Sequence, residues 1–175
     1  MQKLWIRVLV AVVTFGALLG GGVSSAAVAA TVGKTTTAKG PTGQVLTANI
    51  SRGVLAAGKT TTVTITGRGY NTKLGIYVTF CVIPEKGKRP ELCGPFDITG
   101  ANNQSVWISS NPPIYAKLLV VPFGKGGTFK VKMPIDKTIG DNIDCTVERC
   151  AILTRADHTN SDNRKADVII PVTFK

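Results

Sequence analysis

The sequence holds a single histidine, His158, in 175 residues, and that scarcity narrows the chemistry open to the chain. Hydrolysis on the serine–histidine plan needs a nucleophile, an imidazole and an orienting carboxylate that meet in space. Asp157 adjoins His158, with Thr159 and Ser161 close by, but ADHTNSDNR has the composition of a loop and no G-x-S-x-G elbow occurs. P-loop and dinucleotide-binding glycine patterns are also missing, and the glycines fall where turns need positive φ. Neither cysteine spacing supplies the tight C-x-x-C pair of a zinc site. In the loop, Asp157, Asn160, Asp162 and Asn163 depart from the EF-hand spacing, and Arg155, Arg164 and Lys165 would oppose a cation. The expectation is a protein without catalytic activity, metal or other cofactor.

Long hydrophobic runs are scarce too, the exception being at the start. Lys3 and Arg7 precede an apolar run over residues 8–19, and both Ala27-Val28-Ala29 and Val28-Ala29-Ala30 fit the small-x-small rule of signal peptidase. A secretory signal peptide over residues 1–29 is expected. The rival is an uncleaved anchor, because residues 8–30 are nearly long enough to span a bilayer. That anchor would be the chain's membrane contact, since no other segment could span as a helix. No cysteine follows the run, which excludes a lipoprotein anchor there.

Acidic residues are the other shortage, 10 against 21 Lys and Arg. Removing residues 1–29 takes two basic residues and no acidic one, so the net charge of +11 becomes +9. A secreted chain this basic is drawn to anionic surfaces such as wall polymers, lipid headgroups or nucleic acid. Lys86, Lys88 and Arg89, in EKGKRPE, form the candidate contact with such a surface. No aromatic residue interleaves them for base stacking, so no specific nucleic-acid motif is present.

What remains is rich in β structure. Residues 30–43 read as a flexible linker of Thr, Lys and Gly. Strands are predicted over 44–50, 60–66, 74–83, 105–109, 118–121, 128–133, 149–155 and 167–174, separated by Gly and Pro turns. Alternation is clearest in TFKVKM, where Phe129, Val131 and Met133 share a face opposite Lys130 and Lys132. No amphipathic helix interrupts them. The prediction is an all-β domain over 44–175, an immunoglobulin-like antiparallel β-sandwich of about seven to nine strands, with a small barrel as the other architecture. Export turns Cys81, Cys93, Cys145 and Cys150 into expected disulfides. Three pairings exist, and the local one, Cys81–Cys93 with Cys145–Cys150, is favoured because a simple hairpin or loop closes each half; the two would contribute about 3 and about 2 kcal/mol.

The stretches YVTFC, LCGPFD, IDCTVERCAILTRAD and IPVTF resemble the neocarzinostatin family, secreted actinobacterial apoproteins that carry enediyne chromophores. The chain is also similar to uncharacterised envelope proteins of mycolic-acid-bearing actinobacteria. The resemblance spans residues 45–174 and implies a seven-stranded immunoglobulin-like sandwich with the same two local disulfides. This chain departs from the family in being basic and in the length of residues 107–132, and no chromophore-contacting residue carries over. Two functions follow as expectations: a secreted, non-enzymatic cell-envelope binding module of an actinobacterium, or a carrier holding a small hydrophobic ligand in a cleft at the sandwich end. Tyr77, Trp107, Tyr115 and Phe123 are the candidate cleft residues, as aromatics beyond what the core needs.

Overall fold

The computed structural model describes residues 35–97 and 103–175. The signal peptide expected over 1–29 lies outside the described residues, which all belong to one compact unit, Val32–Lys175. In chain order the strands are β1 (Thr36–Lys39), β2 (Val45–Ala48), β3 (Val54–Leu55), β4 (Thr61–Arg68), β5 (Ile76–Val82), β6 (Ser105–Ile108), β7 (Val120–Val121), β8 (Phe129–Ile135), β9 (Thr138–Ile139), β10 (Ile143–Asp144), β11 (Cys150–Ala156) and β12 (Val168–Phe174). One sheet has the order β1-β2-β4-β8 and the other β3-β12-β11-β5-β6-β7, with β9 and β10 as a separate pair. All pairings are antiparallel except the two-residue edges β3–β12 and β6–β7. The predicted immunoglobulin-like sandwich is what forms.

Its core follows from the alternation. On β8 Phe129, Val131, Met133 and Ile135 are buried, while Lys130 and Lys132 on the other face are exposed. On the facing sheet Phe80 opposes Ile152, which opposes Ile170, so that an apolar row crosses three strands at the centre of the fold. Both disulfides join their local partners, Cys81–Cys93 and Cys145–Cys150.

The outer face of the six-stranded sheet is partly covered. Cys81, Ala151 and Leu153 form a second small cluster there, packed against Ile83, Cys93 and Ile169. The 84–97 loop folds back over it. Val82 N donates to Leu92 O at 2.9 Å and Gly94 N to Phe80 O at 2.8 Å, so the returning chain is laddered to β5 beside the disulfide.

Two expectations change. Within the stretch expected to be a loose linker, Thr36–Lys39 is a strand, registered from Thr36↔Ala48 to Lys39↔Val45. Backbone bonds to β2 hold it, and Thr36 Oγ1 donates to Ile50 O at 2.8 Å; an edge strand needs no apolar alternation to satisfy its backbone. The strand expected over 118–121 shrinks to β7, because a turn of 3-10 helix at Ile114–Ala116 comes first and leaves Leu118 98 % exposed.

The registers place the loops 69–75, 109–119, 122–128 and 157–167 at one end of the sandwich. The 56–60 and 136–149 segments lie at the other, with both disulfides.

Candidate functional site

Side-chain alternation on three adjacent strands builds a row on the outer face of the six-stranded sheet. Arg155 on β11 opposes Tyr77 on β5, and Tyr77 opposes Trp107 on β6. The guanidinium carbon of Arg155 sits 5.1 Å from the Tyr77 ring centroid, a cation–π contact. His158 closes the row: its ring lies 5.0 Å from that of Trp107, and its Nδ1 shares a 2.8 Å hydrogen bond with the Tyr77 hydroxyl. Burial, then the charge of Asp157, pushes the Tyr77 phenol up from its ordinary pKa.

Asp157 is pinned beneath this row, 2 % exposed. Trp107 Nε1 donates to its Oδ2 at 3.0 Å, and Thr159 donates to its Oδ1 from both backbone N, at 3.0 Å, and Oγ1, at 2.6 Å. The bond from Thr159 N caps the short 3-10 turn His158–Asn160. Asp157 thus accepts from Trp107 and Thr159, while His158 Nδ1 is engaged by the Tyr77 hydroxyl. A glycine is required alongside, since a Cβ on Gly75 would overlap Asp157 Oδ2.

Between this row and the 84–97 loop lies a cleft of about 430 Å³. Tyr77, Arg155 and His158 line one side and Arg89, Glu91 and Phe96 the other, with Cys93, Gly94 and Ser105 between them. Arg155 Nε is buried there without any hydrogen-bond partner. Its guanidinium is destabilised first by burial and then by the like charge of Arg89, so its pKa is lowered, although a guanidinium in this setting stays protonated. A hollow of about 310 Å³ occupies the sandwich end among Gln44, Tyr70, Leu74, Ile76, Asn163 and Lys165. Its buried amide is already engaged, Gln44 Nε2 donating to Lys165 O at 2.6 Å and Oε1 accepting from Thr42 N at 2.9 Å.

The candidate aromatics separate. Tyr77 and Trp107 are neighbours, with ring centroids 6.1 Å apart. Tyr115 is 78 % exposed on the 109–119 loop, close enough for its phenol to raise the Tyr77 pKa further. Phe123 lies away from the cleft, stacked at 6.4 Å on Tyr70 and edge-on to Phe129 at 6.3 Å. The reason is local: Gly124 bridges to Thr128, and this turn carries the chain toward β8 in the opposite sheet. Lys86 and Lys88 are exposed on the 84–97 loop, whereas Arg89 reaches the cleft. Arg155, Glu91, Phe96 and His158 join the site without having been singled out for it. Arg155 carried a signal, a charge closing the apolar strand CAILTRA at the same parity as Ala151 and Leu153. Among the described residues no group of three or more His, Cys, Asp or Glu could hold a metal ion.

Asp167, next to this site, titrates unusually. Its Oδ2 accepts from Arg164 Nη1 at 3.0 Å, but its Oδ1 is buried with no partner. Burial outweighs the pull of Arg164 and Arg155 and pushes its pKa from 3.8 up to about 6. The folded state thus takes up this proton before the unfolded state does. The stability it confers is fully present below pH 3.8 and is lost as pH rises through about 6. Melts of Asp167→Asn from pH 3.5 to 7 should lack that component, and a carboxyl resonance of Asp167 titrating near 4 would refute the reading.

No family model matches the sequence, and no curated protein matches it. Among solved structures the chain is similar to macromomycin, with a TM-score of 0.43 and 15 % identity over 70 % of this chain and 93 % of that one. At that distance the similarity transfers no residue role.

Proposed function

We propose that the protein is an exported, non-enzymatic carrier that holds a small aromatic anion in the cleft between β5, β11 and the 84–97 loop. The observation that carries this is Arg155. Its Nε is buried without an acceptor, its guanidinium rests on Tyr77, and Arg89 lines the same cleft. A ligand carboxylate or phosphate between the two arginines would relieve their repulsion and pair with their guanidinium groups. Tyr77 and Phe96 supply flat apolar surface for the body of such a ligand. The volume falls within the roughly 300–1,000 Å³ of small-molecule sites. The expected ligand therefore shifts from a purely hydrophobic molecule to one with an aromatic part and a negative group. Export is supported by the two disulfides. No helix among the described residues is long and apolar enough to cross a membrane.

Native mass spectrometry of protein taken from its own source, without refolding, should show a mass above the polypeptide's that denaturation removes. Aromatic carboxylates such as naphthoates should quench Trp107, the single tryptophan of residues 32–175. Arg155→Gln should weaken that binding by about tenfold to a hundredfold, the range for a hydrogen bond to a charged group. A bare mass together with no quenching at millimolar naphthoate would overturn the proposal.

A further inference from the structure

The 109–119 loop, Ser-Ser-Asn-Pro-Pro-Ile-Tyr-Ala-Lys-Leu-Leu, displays its apolar side chains where most loops hide theirs. Ile114 is 85 % exposed, Tyr115 78 % and Leu118 98 %, and Leu119 is partly exposed beside them. The loop is nonetheless well anchored. Ala116 is fully buried at its base, Ala116 N donates to Pro113 O, and Leu119 N donates to Ala116 O, both at 2.9 Å. An ordered turn therefore holds these side chains outward.

The charge around it is lopsided. Lys73, Lys117, Lys125 and Lys165 are all exposed at this end of the sandwich. Of its three carboxylates, Asp157 is buried against Trp107 and Asp167 is paired with Arg164, which leaves Asp162. Of the other seven acidic residues, Asp136, Asp141, Asp144 and Glu148 lie in the 136–149 segment at the disulfide end, and Glu85, Glu91 and Asp97 on the 84–97 loop. The surface around the apolar loop therefore carries a surplus of positive charge.

We infer that the 109–119 loop docks on an anionic lipid surface, inserting Ile114, Tyr115 and Leu118 while the surrounding lysines meet the headgroups. Two features favour lipid over a protein partner. The apolar residues form one convex tip, which a fluid medium can enclose, whereas protein interfaces need roughly 800 Å² of matched surface on each side. Tyr115 within the tip has the amphipathic ring that settles at headgroup level. Apolar burial and attraction to anionic lipid add in such anchors. The inference is independent of the cleft's ligand.

Residues 32–175, which contain the whole described core and both disulfides, are the protein to test, because the apolar run near the start would bind lipid by itself. They should co-sediment at low salt with phosphatidylcholine vesicles that include phosphatidylglycerol, and far less with phosphatidylcholine alone. Ile114→Ser combined with Leu118→Ser should weaken that partitioning at least about tenfold, while the thermal midpoint and Trp107 emission stay unchanged, since both side chains are exposed. Lys117→Glu should weaken it too and flatten its salt dependence. Absence of binding to the anionic vesicles at low salt would overturn the inference. So would binding that ignores the double substitution, which would mark attraction by charge without insertion.

Discussion

Asp157→Ala is expected to lower the unfolding free energy by about 2–4 kcal/mol, the cost of losing bonds to a buried charged acceptor and stranding a donor. The carboxylate serves two elements at once. It accepts from Trp107 Nε1 on β6 and from the Thr159 N and Oγ1 that begin the 158–160 turn. Alanine would strip the indole N–H of its acceptor on an outer face that the freed loop no longer covers. Trp107 emission should then move to longer wavelength, and His158 should lose its place over the ring. Asp157→Asn keeps one acceptor and should fall between the two. Gly75→Ala, whose methyl would overlap Oδ2, should reproduce much of the same loss without touching the carboxylate. Chemical denaturation with tryptophan fluorescence reads all three, and a loss under about 0.5 kcal/mol, the size of an ordinary surface substitution, would show that the network is dispensable.

Removing the Cys81–Cys93 bridge by Cys81→Ala with Cys93→Ala should cost about 3 kcal/mol on the loop-entropy scale for its span of 12 residues. The same exchange at Cys145 and Cys150, a span of 5, should cost about 2 kcal/mol. The stability difference is small, but the functional difference should be large. Cys81–Cys93 fastens the loop that supplies Arg89, Glu91 and Phe96 and covers Ala151 and Leu153. Without it, limited proteolysis should cut within residues 84–97 and naphthoate binding should fall even where the sandwich remains folded. Cys145–Cys150 closes a turn at the far end, and its loss should leave binding intact. Equal effects of the two exchanges on binding would contradict this division.

The sandwich was legible where alternation had something to bury. Phe129, Val131 and Met133 on β8, and Val168, Ile170 and Val172 on β12, announce their inward faces directly. Thr36–Lys39 gave no such sign, because TTAK is held by backbone pairing at a sheet edge. The cleft was half legible. Tyr77 and Trp107 stood out as aromatics, yet their partnership with Arg155 depends on the register of three strands distant in sequence. Phe123 lies outside this outer-face cleft and packs on Tyr70 and Phe129 instead; an aromatic beside a glycine turn looks the same whether it lines a cleft or closes a core. Leu118 read as strand because hydropathy cannot distinguish a side chain turned inward from one held outward.

The pairing order has a kinetic consequence. β5 meets β11 in the middle of its sheet, and β4 meets β8 and β3 meets β12 at sheet edges, so each contact waits on a long search through the chain. Topologies of this kind fold in roughly milliseconds to seconds. The two disulfides span only 12 and 5 residues and shorten those searches very little. If the chain crosses a membrane unfolded, its greatest exposure to proteases falls between emergence and the moment β12 settles between β3 and β11. Selection for speed would then act on the turns rather than on the cysteines.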